Sequence, residues 1–140
     1  MVRAVVAIVS VFCAWVLMNF IMHGLILGPT YQSTVQLWRP MNEIRNGLIY
    51  GSTLIGAACF VLIYLLLIPA KSLASGIQYG LLFGFGTGFS MGFGSYAIMP
   101  IPITMAVVWF VGCLCESTVA GLLTAAIIKP RPQSPEKVFV

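Results

Sequence analysis

Charge is what this sequence has least of: charged residues make up 7% of the chain, and acids are the scarcer sign, three against seven lysines and arginines. A soluble domain needs more polar surface than that, so the composition excludes an ordinary water-exposed globular fold. Histidine occurs once, which excludes a bis-histidine haem site within one subunit. Cys13, Cys59, Cys113 and Cys115 form no C-x-x-C pair and lie in apolar runs. They read as small apolar side chains rather than as disulfides or metal ligands. There is also no Walker loop, no H-E-x-x-H, no pair of carboxylates and no Ser-His-Asp set. Gly84-x-Gly86 lies inside an apolar run rather than after a strand, so it is no nucleotide fingerprint. No catalytic residue and no metal centre is expected, and the chain reads as a non-enzyme.

What is abundant is apolar surface. Hydrophobic residues reach 60% of 140 residues, and the mean hydropathy is strongly positive. Lipid must cover that surface, so the expectation is an all-α integral membrane protein. Breaks at Gly28-Pro29, Pro69 and Pro100-x-Pro102 divide the chain into four spans, about residues 4–27, 47–68, 76–99 and 103–128. Tyr31, Val35 and Trp38 fall at the spacing of one helical face, which predicts a short interfacial helix between spans one and two of the four-transmembrane-helix bundle. Residues 129–140, KPRPQSPEKVFV, read as an extended tail. Arg3, Lys71, Lys129, Arg131 and Lys137 fall on one side of this topology and Arg39 and Arg45 on the other. That bias predicts that both termini are cytoplasmic, and the general character is that of a small bacterial inner-membrane protein. The net charge of +4 comes from these scattered positions. It suits lipid headgroups and not nucleic acid.

Gly76, Gly80, Gly84, Gly88 and Gly92 recur at every fourth position of the third span, with Phe85, Phe89 and Phe93 in a row beside them. Residues four apart share a helix face, so the glycines form a zipper-like groove without side chains. Such a groove packs against another helix, or against a flat apolar cofactor such as a lipid, a quinone or a pigment. Span four carries a matching row through Gly112, Glu116 and Ala120, and the expected contact sets Gly84 and Gly88 against those three residues.

Glu116 is the only acid inside a span and sits near its middle, which at roughly 1.5 Å per residue places it near the bilayer midplane. An ionised acid there costs at least about 2.5–3.5 kcal/mol on insertion scales. Either it is hydrogen-bonded to Thr87, Ser90 or Asn19 and holds the bundle in register, or it holds a proton or cation that comes and goes. His23, four residues after Asn19 on the same face, reads as an interfacial histidine bonded to the first connection. With Met18 and Met22 nearby it could also be a ligand for haem, a chlorin or copper. Two functions follow as expectations. The leading one is an accessory or structural subunit of a larger membrane assembly, or a homo-oligomer, packing through the glycine helix. The alternative is a small proton or cation transporter or channel that uses Glu116.

Overall fold

The computed structural model describes residues 1–128, and the expected tail lies outside them. Every regular element among the described residues is helical. Helix α1 (Val2–Asn19) runs on into a π-helical segment, Phe20–Ile26, where the Leu27 N–H bonds back five residues to the Met22 carbonyl at 2.9 Å. Then come α2 (Gly28–Ser33), two 3-10 turns, α3 (Asn46–Leu67), α4 (Leu73–Ile98) and α5 (Ile103–Ile127). Three stretches are long and apolar enough to cross a membrane: Val2–Ile26, Asn46–Leu67 and Ile103–Ile127. They imply a lipid bilayer around the chain. Helix α4 is as long, at 26 residues, but carries glycine in place of many apolar side chains and is not among those three.

The connection after α1 departs from the single interfacial helix expected. Helix α2 stops at Ser33 because Thr34 leaves the helical region (φ −121°, ψ 27°) and turns its hydroxyl to the Thr30 carbonyl at 2.7 Å. The Trp38 indole N–H then donates to that hydroxyl at 2.9 Å. Tyr31 and Trp38 consequently meet edge to face, with ring centroids 5.2 Å apart, while Val35 stays 67% exposed. The three residues therefore do not form one buried stripe. Instead the connection folds into short helical pieces over the end of the bundle.

Consecutive long helices alternate in direction, so the start of α1 lies with the ends of α3 and α5 and the beginning of α4. There Ala7, Val11, Phe60, Tyr64, Ala120 and Ala125 form one buried core, with Tyr79 and Phe83 packed on it. Local chemistry fixes this end. Ser72 and Ser75 cap α4 reciprocally, each hydroxyl accepting the other's backbone N–H at 3.0 Å. Lys71 reaches back to the Tyr64 and Ile68 carbonyls at the end of α3, the first of which also accepts the Ile68 N–H at 3.4 Å. At the opposite end Met22, Leu27, Ile101, Met105, Ala106 and Trp109 form a second core beneath the connection. Helix α3 takes no part in it: Asn46 through Tyr50 are all exposed.

The seam between α4 and α5 is built from absent side chains. All five glycines of the row are buried, and all face α5. A Cβ on Gly84 would stand 2.8 Å from the Ser117 Cβ, one on Gly88 would stand 2.8 Å from the Cys113 Cβ, and one on Gly80 would collide with the Ser117 carbonyl oxygen. Gly121 answers from α5, its face lying on the Gly76 carbonyl and the Gly80 Cα. Backbone thus lies on backbone, which is how small-xxx-small rows let helices approach in lipid.

The register differs from the expected one. Gly84 and Gly88 meet Phe110, Cys113, Leu114 and Ser117, and not Gly112, Glu116 and Ala120. The reason is that α5 carries a second small-residue row, Ala106, Cys113, Ser117 and Gly121. The Gly112–Glu116 face is turned to α1 instead. Because the glycine face is filled by α5, it offers no groove to a flat cofactor or to a second subunit. The phenylalanine row flanks the seam and closes on Phe110, whose ring lies 5.5, 6.0 and 5.9 Å from those of Phe85, Phe89 and Phe93.

Candidate functional site

Helix α1 packs on the side of α5 away from the glycine seam. Its Trp15 indole N–H crosses to donate to the Glu116 main-chain carbonyl at 3.0 Å. That bond fixes the depth of α1 against α5 but leaves the Glu116 carboxyl unserved. Glu116 is 8% exposed, and its Oε1 is buried without a hydrogen-bond partner among the described residues. Glu116 also lines a cavity of about 400 Å³ between the π-helical end of α1 and the first half of α5. Met18, Met22, Val108, Gly112 and Cys115 share that wall. Met22 closes over Gly112, where any Cβ would run into its sulfur. Among the described residues no other side chain on the wall carries an oxygen, so Glu116 supplies its one hard donor.

The other residues expected around Glu116 are not gathered there. Asn19 donates its side-chain amide to the Trp15 carbonyl one turn back, at 2.9 Å. Thr87 donates to the Phe83 carbonyl of its own helix at 2.7 Å, and both it and Ser90 are exposed on α4. The expected register bond from Glu116 to one of these three is therefore not made. Each hydroxyl or amide finds its partner locally, as Ser, Thr and Asn side chains on helices commonly do, and α5 presents a different face to α4.

His23 belongs to a different cluster. Its Nδ1 lies 2.6 Å from the Tyr31 hydroxyl, and the rings stack with centroids 5.8 Å apart. The Trp109 indole N–H donates to the same hydroxyl at 3.1 Å. An indole is donor only, so the Tyr31 oxygen accepts from Trp109 and its O–H is free for His23 Nδ1; that assigns the ring proton to Nε2. Burial raises the Tyr31 phenol above its usual value, and the Trp109 hydrogen bond works against that rise. The His23 ring thus ties the end of α1 to the first connection and, through Tyr31, to α5. Its outer side opens on a cleft of about 730 Å³ between α1 and α3, shared with Asn19, Asn46, Tyr50 and Thr53. Asn19 and His23 therefore do share a face, but the space they line lies on the α3 side of α1, apart from the Glu116 cavity.

Sequence reasoning named Tyr31 only as part of an interfacial helix, and missed the roles of Trp15, Trp109, Ser117 and Gly121. The row Ala106, Cys113, Ser117 and Gly121 was readable as a second small face of α5. Nothing in the sequence marks the indole of Trp15 as reaching a main-chain oxygen a hundred residues away. The chain matches no protein-family model, no curated protein and no solved structure.

Proposed function

We propose that this chain is a small four-span membrane protein, with α4 as its third span, whose working group is Glu116: an intramembrane site that takes up and releases a proton or a cation. The observation that carries the proposal is the buried Oε1 of Glu116, which has no partner among the described residues and belongs to a residue that lines a cavity. A carboxyl placed for register would be expected to have its oxygens bonded, because a buried oxygen left without a partner costs about 1–3 kcal/mol. Here the nearby Trp15 indole is spent on the main chain of the same residue. Whatever neutralises Glu116 must then arrive from outside the fold, and in lipid that means a proton or a positively charged ligand. One carboxyl on an otherwise oxygen-free wall suits a carrier that binds and releases more than a continuous aqueous channel, which needs a polar lining. Orientation with both termini cytoplasmic, in a bacterial inner membrane, rests on the distribution of lysine and arginine along the sequence.

The test is flux in proteoliposomes carrying a pH-sensitive dye. Wild-type protein should dissipate an imposed proton or cation gradient, and Glu116→Gln should abolish that flux while keeping its elution profile and helical content. Equal flux through both proteins sinks the proposal.

A second reading, an accessory subunit or homo-oligomer, is favoured by α3. Gly47 and Gly51 have nothing within 4 Å of their would-be side chains, and Leu48 and Ile55 are each 67% exposed. Any partner helix would use this face, since the α4 glycines are already taken. Crosslinking that captures a partner through Gly47→Cys or Gly51→Cys in membranes would support it; a monomer in mild detergent with no captured partner would oppose it.

A further inference from the structure

We infer that the ligand of the Glu116 cavity is a lipophilic amine, an organic cation with an apolar body and at least one N–H, which enters sideways from the lipid between α1 and α5. The inference rests on the reading of Glu116 as an exchange site and specifies what is exchanged. A proton alone needs no space, yet Glu116 lines a cavity of about 400 Å³, within the range of small-molecule pockets. A hard inorganic cation needs six or more oxygen ligands. Among the described residues the wall offers side-chain oxygen from Glu116 alone. An anion would be repelled, and a purely apolar molecule would leave the Glu116 carboxyl unmet. A quaternary ammonium brings charge but no N–H for the carboxyl. An amine supplies both and places its hydrocarbon against the apolar wall.

The entrance follows from exposure. Ile21, Ile26, Val107 and Val111 line the cavity and are 41, 57, 42 and 47% exposed on the lipid-facing side of α1 and α5. The opening therefore faces hydrocarbon, where a lipophilic amine partitions and an aqueous ion does not. Sulfur from Met18, Met22 and Cys115 also lines the cavity and would suit a soft metal ion. The Met22 sulfur, however, is packed on Gly112 rather than held free for coordination.

The test uses the full chain in phosphatidylcholine nanodiscs at neutral pH. Equilibrium dialysis compares 1-naphthylmethylamine with its neutral counterpart, 1-naphthylmethanol, on wild type, Glu116→Gln and Glu116→Asp, with empty nanodiscs subtracted. Wild type should hold the amine at least about ten-fold more tightly than the alcohol, a gap of about 1.4 kcal/mol. Glu116→Gln should lose that preference and Glu116→Asp should keep part of it. Equal binding of amine and alcohol by wild type overturns the inference, as does an amine preference that survives in Glu116→Gln, or displacement of bound amine by stoichiometric silver ion. Should Glu116→Gln fail to fold, the wild-type amine-to-alcohol ratio and the Glu116→Asp value decide. Proton uptake measured on the same nanodiscs without amine separates the two levels. Uptake without amine preference removes the amine and leaves the exchange site standing, whereas neither signal removes both.

Discussion

Replacing Gly80 with alanine adds one methyl group where α5 leaves no room for it. The new Cβ would overlap the Ser117 carbonyl oxygen and lie 2.9 Å from both the Ser117 carbonyl carbon and the Thr118 Cα. Carbon atoms prefer about 3.5–4.0 Å, so the helices must part by roughly 1 Å at that point, which forfeits up to about half the dispersion of each affected pair. All of the obstructing atoms are backbone, and no side chain can swing aside. Overpacking of this kind typically costs about 1–3 kcal/mol. Alanine also raises helix propensity by up to about 1 kcal/mol over glycine, so a single variant would blur the two effects. Gly86 separates them: it lies in the same helix with nothing within 4 Å of its would-be Cβ. Gly86→Ala should match or exceed wild-type stability, and Gly80→Ala should fall below Gly86→Ala by about 1–3 kcal/mol. Unfolding by sodium dodecyl sulfate in mixed micelles, followed by helical circular dichroism, gives both numbers. Agreement of the two variants within about 0.5 kcal/mol, the usual scatter for surface changes, would refute the buried seam.

Three further outcomes follow. Tyr31→Phe leaves the Trp109 N–H and His23 Nδ1 without their partner, so it should cost about 1–3 kcal/mol and shift the Trp109 fluorescence. Because burial raises the Tyr31 phenol, the neutral form is the one the fold favours. Its contribution is complete below the ordinary tyrosine value of about 10 and is lost as pH rises through the higher folded value, so Tyr31→Phe should flatten that part of the alkaline stability profile. Ser72→Ala removes the α4 cap and should cost about 1 kcal/mol, with faster amide exchange confined to the first turn of α4. Gly112→Ala meets only the flexible Met22 side chain, so it should cost less than Gly80→Ala, under about 1 kcal/mol.

The long helices were legible because prolines and glycines punctuate apolar runs of membrane length, and the glycine row was legible because one residue type recurs every fourth position. Which face of α5 the row would meet was not. Helix α5 has two small faces, and the choice between Gly112–Glu116 and Ala106–Gly121 is made by α1, whose Trp15 claims the Glu116 side. The π-helical turn at Phe20–Ile26 leaves no mark in hydropathy, although it shapes the wall on which Met22 and Glu116 meet. Depth singled out Glu116, since one acid in the middle of an apolar span needs a reason in any arrangement. Its surroundings could not be read, because Asn19, Thr87 and Ser90 satisfy themselves on their own helices. The connection after α1 was misjudged for a similar reason. Helical spacing assumed an unbroken helix where the Thr34 hydroxyl turns back to the Thr30 carbonyl and ends it.

Difference infrared spectroscopy of wild type and Glu116→Gln in lipid, across a pH series, tests the central claim most directly. The carbonyl stretch of a protonated carboxylic acid should appear and vanish reversibly with pH in wild type and be missing from Glu116→Gln, showing that this buried carboxyl exchanges its proton with water. A wild-type carboxyl band that stays unchanged from acid to alkaline pH would contradict it, and would return Glu116 to a fixed structural part.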